Sequence, residues 1–286
     1  MKYKSIIPLG EACSTAIMLK ELGLRPLSLP FDWLAYQTPQ NLLATISDDF
    51  SSFFPSQEEI NKEYRRKTDL YQGLFAEIDA SLAKPNQHFP AGAPPFCDFF
   101  NVEATDRSRV RDKWEEIKST ALLFGIKTLE AFLREFKFRN YFGSQERAEF
   151  VFTNGYQAEC MHDFHRRDFT EGRVSAQAYS RVLSSKEKRI SRLEDLLSQD
   201  HFVAVHISDT FFLDEKEERF GDMCALSELL HKKYGASNFK ILCFNLLPST
   251  HKEGAVFNFF QPWDLYKDSC AAQRAFAKTV LLKEIY

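Results

Sequence analysis

Several things are scarce in this 286-residue chain. Glycine and proline number only 11 each, too few for a linker-rich or low-complexity polypeptide. The six cysteines, at positions 13, 97, 160, 224, 243 and 270, form no C-x-x-C pair. Neither a disulfide framework nor a zinc cage is implied, and no metal is expected. No run approaches the ~20 apolar residues that cross a bilayer. The residues Met1–Pro8 lack the apolar core and cleavage site of a secretory signal, so a cytoplasmic protein without a membrane span is expected. Neither charge sign dominates: the net charge is −3, which gives no electrostatic reason to expect nucleic acid as a partner. A P-loop, a dinucleotide glycine pattern and a G-x-S-x-G elbow are all missing, which removes the commonest ATP, NAD and serine-hydrolase chemistries.

What is present suffices for a core, since 44% of the residues are hydrophobic. Tyr3–Leu9 reads as a strand and Cys13–Leu22 as a helix stopped at Gly23. Thr38-Pro39 is an N-cap followed by a first-turn proline, opening a helix to about Ile46. Residues 106–137 carry apolar positions at helical spacing, with Trp114, Ile117, Ala121 and Leu122 on one face. Glu149–Thr153 reads as a short strand and Tyr179–Ser198 as a helix. Phe202–Ile207, Phe239–Leu247 and Val256–Phe260 read as strands. They alternate with helices over Asp222–Tyr234 and Ser269–Ile285. Such alternation predicts an α/β (α+β) fold, a central sheet covered by helices. The expected organisation is a single domain over 1–286 with an irregular helical insertion or lid at about 50–150.

The residue best placed for chemistry is Cys13. It follows the first strand and opens the first helix, where N–H groups without intrahelical partners and a partial positive charge favour the thiolate. Gly10 allows a tight strand-to-helix turn, which would leave backbone N–H groups available for an oxyanion. A nucleophilic thiol needs a base. His162, in the cluster His162-Asp163-Phe164-His165, is the first candidate, with Asp163 to stabilise its imidazolium; the bland alternative is a surface loop. His206, inside an apolar strand, is the rival. Asp32, set in Pro30-Phe31-Asp32-Trp33, either orients the histidine or ties down its own turn. Asn245 is a further candidate third member. The basic run Arg166, Arg167, Arg173, Arg181, Lys186, Lys188, Arg189 and Arg192 reads by default as a solvated helix face balanced by Glu187, Glu194 and Asp195. A phosphate-bearing cosubstrate would give part of it, Arg189 and Arg192 above all, a binding role.

The strand with Gly10-x-x-Cys13, the Gly23-Leu24-Arg25 turn, Pro30-Phe31-Asp32-Trp33, His162-Asp163-Phe164 and Lys188-Arg189-x-x-Arg192 together resemble a bacterial family of papain-like cysteine peptidases. The resemblance covers about residues 4–48 and 158–207. It implies a papain-like arrangement with Cys13 at a helix start against a sheet and His162 as its histidine. More distantly the chain is similar to capsule-polysaccharide acetyltransferases of papain-like fold, which imply coenzyme A as acyl donor. This chain has Glu11-Ala12 where that group has Gly-Asn before the cysteine. The function expected is a thiol-dependent acyl-group enzyme, a cysteine peptidase or hydrolase, acting on a peptide or glycan-type small substrate without a required cofactor. A coenzyme A-dependent O-acyltransferase of surface-polysaccharide biosynthesis and a non-catalytic α/β binding module are the alternatives.

Overall fold

A computed structural model of the chain describes residues 3–10, 13–35, 38–66, 149–199, 201–208, 216–245, 247, 249–260 and 270–286. The helical pattern at 106–137 and most of the expected insertion lie outside the described residues.

The chain is a mixed α/β protein around a central mixed sheet. Strands β1 (Ser5–Pro8), β7 (Phe202–Ile207), β8 (Phe239–Phe244), β10 (Val256–Phe259) and β9 (His251–Glu253) lie in the order β1-β7-β8-β10-β9. The first four are parallel, and β9 pairs antiparallel with β10. The register sets Ser5 beside Phe202 and Phe202 beside Phe239. Every residue of β7 is buried, as an inner parallel strand covered on both faces requires.

The described helices are α1 (Cys13–Glu21), α2 (Pro39–Ser47), α3 (57–66), α4 (Ala176–Leu197), α5 (Lys216–Tyr234) and α6 (Cys270–Ile285). None is long and apolar enough to cross a membrane. Their ends follow local rules. Gly23, at φ +68°, terminates α1 in a left-handed turn whose Leu24 N–H reaches the Leu19 carbonyl at 2.9 Å, the geometry that glycine adopts at least cost. Thr38 Oγ1 accepts from Asn41 N at 3.2 Å and caps α2, whose first residue is Pro39.

Two compact units result. The first comprises Met1–Pro55, Phe152–Met161 and Ser180–Tyr286. Its core sets Met18 and Leu19 of α1, with Ala277, Leu281 and Ile285 of α6, against Ile6, Val203, Val205, Ile207, Leu242 and Phe244 of the sheet. In the same unit β2 (Leu34–Ala35) pairs antiparallel with the start of β4 (Glu159–His165), Leu34 opposite Cys160, in a sheet of order β2-β4-β3 whose third strand is β3 (Glu149–Thr153).

The second unit comprises Ser56–Val151 and His162–Tyr179. Its described core is aromatic: Tyr64 stacks on Phe169 with ring centroids 3.9 Å apart, and Phe150 and Phe164 meet Phe169 edge-on. The hairpin β5 (Phe169–Thr170) and β6 (Arg173–Val174) turns through Glu171 and Gly172, both at positive φ. Asn61 and Gln57 of α3 take up the Val174 backbone N–H and C=O.

Candidate thiol site

The carboxyl ends of parallel strands share one edge of an open sheet, and ligands of such sheets bind there. Leu9 N donates to the Val205 carbonyl at 2.7 Å. The pairing of β1 with β7 thus extends one residue beyond Pro8. Gly10 is buried, and α1 opens at Cys13. At the same edge β7 ends in His206 and Ile207, with Ser208 next, and β8 is followed by Asn245, which sits at φ +60°.

Helix α1 packs on β1 and β7. It buries Ser14, Thr15, Ala16, Met18 and Leu19 and leaves Cys13 partly exposed. No acidic side chain lies in its first turn, where one would oppose the partial positive charge of a helix start. The other described thiols differ. Cys160 and Cys243 are buried, and burial pushes the Cys243 thiol far up. Cys224 is partly buried. Burial first, then the Glu253 charge and hydrogen bond, hold its thiol at about 11.

His206 is 0% exposed. Val203, Val205 and Ile207 join Met18 and Leu19 in the core beneath α1. Side chains alternate along a strand, so His206 points to the face away from α1. Its Nδ1 lies 2.6 Å from the Leu9 carbonyl oxygen. A carbonyl only accepts, so Nδ1 carries the proton and, in the neutral ring, Nε2 is the acceptor. The imidazole ties β7 to β1 one residue before Gly10.

Asp32 is also 0% exposed. Its Oδ2 accepts from Arg25 Nε at 2.9 Å, Ser28 Oγ at 3.0 Å and Leu29 N at 2.7 Å, and it forms an ion pair with Arg25 Nη2. Arg25 in turn lies over the Trp33 ring at 5.6 Å. Among the described residues every hydrogen bond of this carboxylate goes to its own turn, the fastening role, and none to a histidine. Sequence reasoning missed Arg25 as the partner. The signal was a single arginine seven residues upstream in a segment with two prolines, too short to place the charge elsewhere.

His162 and Asp163 belong to the second unit. They lie on β4 rather than in a surface loop. His162 is exposed, and its φ of +64° is a left-handed conformation inside a strand. That costs a residue with a side chain about 1–3 kcal/mol, and such strain concentrates at functional sites.

The basic run divides. Arg167, Arg173, Arg181 and Lys188 are exposed, as a solvated face requires. Lys186, however, is buried, and Arg189 and Arg192 are partly buried. Here the expectation of a wholly solvated face is corrected. Among the described residues no group of three or more His, Cys, Asp or Glu side chains is disposed to hold a metal ion.

The family described as "Putative papain-like cysteine peptidase (DUF1796)" matches residues 4–247. The chain belongs to this family. The match takes in β1 through β8, hence Cys13, Asp32, His162, Arg189, Arg192 and His206. The fold agrees with it: a mixed α/β protein with a central sheet on which the helix that starts at Cys13 is packed. Cysteine peptidases are thiol-dependent hydrolases, and the family supports that general chemistry here. No curated protein and no solved structure matches the chain.

Proposed function

We propose that the chain is a thiol-dependent acyl-group hydrolase in which Cys13 is the nucleophile and His162 the proton acceptor, acting on a peptide or glycan-type small substrate. The observation that carries the reading is the position of Cys13. It opens α1 at the carboxyl edge of a parallel sheet, with its sulfur partly exposed. Electrostatics there favour the thiolate, and first-turn N–H groups offer an oxyanion hole. The thiolate attacks the acyl carbonyl, and the oxyanion is held by backbone N–H groups. Imidazolium gives its proton to the leaving group, and water then releases the acid from the acyl-enzyme thioester. The choice of histidine rests on contrast: His206 is sealed and committed to Leu9, whereas His162 is exposed on a strained backbone. Transfer from coenzyme A to a sugar hydroxyl would employ the same nucleophile and differ only in donor and acceptor.

Iodoacetamide labelling near neutral pH, read by mass spectrometry, tests the nucleophile. Cys13 should react well ahead of the other five cysteines; uniformly slow labelling would sink the idea. Turnover of a fluorogenic peptide and acyl-ester panel should vanish in Cys13→Ser. It should fall by about 10²–10⁴-fold in His162→Asn, the usual contribution of a positioned base. If His206→Asn alone produces that loss with the fold intact, the base is His206.

A further inference from the structure

Helix α4 hides its cations in an unusual way. Taking about 100° per residue, Val182, Leu193 and Leu197 lie within about 40° of Lys186 on the helix surface, and all four are buried. Lys186 thus occupies the centre of the core-facing stripe, its ammonium 5.5 Å from the Phe53 ring centroid. One turn on, Arg189 sits about 60° to one side of that stripe, and Arg192 about 60° further round. Glu187 and Glu194 fall on the opposite flank, so the acids of this helix do not serve these arginines.

Among the described residues no ion pair or hydrogen bond engages Arg189. Its Nη1 is buried and has no acceptor. Among the described residues Arg192 reaches only the Ser28 carbonyl, at 3.5 Å, the outer limit of a hydrogen bond. The one buried carboxylate of that turn, Asp32, is already taken by Arg25. A guanidinium withdrawn from water without an anion is expensive. Arg189, whose Nη1 is buried, and Arg192 three residues on are both partly buried and offer an oxyanion two neighbouring guanidinium groups on one helix flank. Arginine's planar fork suits the tetrahedral oxygens of phosphate, and the charge total favours a dianion over a single carboxylate.

We propose that Arg189, with Arg192 beside it on α4, binds a phosphate-type dianion, so that this chain recognises a phosphorylated small molecule. The inference stands apart from the thiol chemistry, because its test reads binding and stability and not turnover. The probe is inorganic pyrophosphate, compared with sodium chloride at matched ionic strength and with succinate, by thermal shift and calorimetry on the full chain. Pyrophosphate should give a saturable rise in Tm that chloride and succinate do not. Each arginine lost should weaken binding about 10- to 100-fold, the range for a hydrogen bond to a charged group. Arg189→Lys should retain part of the affinity that Arg189→Ala loses. A control, Arg65→Ala on the exposed face of α3, should change nothing. Equal rises in chloride or succinate, or an undiminished pyrophosphate response in Arg189→Ala plus Arg192→Ala, would overturn the proposal. A second readout needs no ligand. If Arg189 waits for an anion, Arg189→Met should leave the Tm of the anion-free protein equal or higher. A marked fall would mean the arginine is structural and would also overturn it.

Discussion

Replacing Asp32 by alanine is the sharpest test of how the turn beneath the thiol site is built. The substitution removes the acceptor for the Leu29 N–H, for Ser28 Oγ and for two nitrogens of Arg25. The arginine side chain is 8% exposed and the aspartate 0%, so solvent does little to replace what is lost. An orphaned buried N–H costs about 1–3 kcal/mol. Breaking a buried ion pair from one side costs about 3–5 kcal/mol. The two overlap, since one oxygen serves both, and the expected loss is about 3–5 kcal/mol. That is a large share of the 5–15 kcal/mol that typically holds a folded chain together. Asp32→Asn keeps the shape and can still accept from Leu29, so it should fall between wild type and alanine. The pair Arg25→Met plus Asp32→Leu removes both charges and should recover much of the loss. Urea denaturation followed by far-UV circular dichroism measures all four proteins. The reasoning fails if Asp32→Ala stays within about 1 kcal/mol of wild type, well below a one-sided break of a buried pair. If Cys13 labelling collapses while stability holds, Asp32 belongs to the reaction and not to the turn.

Three further outcomes follow from the same geometry. The thiol of Cys224, held at about 11, should be only about 0.1% ionised at pH 8, so its alkylation should climb roughly tenfold per pH unit up to about pH 11; a profile that levels off by about pH 9 would refute the assignment. His206→Leu deprives the buried Leu9 carbonyl of its donor and should cost about 1–3 kcal/mol in urea melts while Cys13 reactivity persists in the folded fraction. At Lys240, burial lowers the pKa but the Glu284 hydrogen bond and charge, with Tyr3, outweigh it, leaving the folded value raised. A raised folded pKa stabilises below the unfolded value and is lost as pH rises through the folded one. Wild type should therefore lose stability more steeply than Lys240→Met above about pH 10, the ordinary lysine range; identical slopes would count against the Lys240–Glu284 pair.

Local patterns carried much of the architecture. The strand before Cys13, the Thr38 cap, the glycine stop of α1 and the apolar run of β8 are each properties of a few adjacent residues. They held because propensity, capping and periodicity act within one or two turns. The strand β4 was not legible, since Glu159–His165 intersperses charged and imidazole side chains among the apolar ones and so conceals its alternation. Likewise β9 is three exposed residues, His251–Glu253, with no apolar signal at all.

At the candidate site the division is the same. Cys13 was visible because a thiol after a strand and at a helix start is a local arrangement with a local electrostatic consequence. His206 was ambiguous because a strand residue's role depends on which face its neighbours cover. The face came from the packing of Met18 and Leu19 on Val205 and Ile207, and the hydrogen bond to Leu9 came from the pairing of β7 with β1. Asp32 announced that it was enclosed but not by what.

By itself, then, the sequence determined an α/β chain with a sheet-edge cysteine at a helix start, since these follow from short-range spacing and backbone chemistry. Tertiary structure decided what no spacing contains. It chose the order β1-β7-β8-β10-β9, committed Asp32 to Arg25, and turned Lys186 and Arg189 of a charged helix inward. The physical reason is that burial is a property of the neighbours. The same arginine is a solvated charge or a waiting ligand site according to what packs around it.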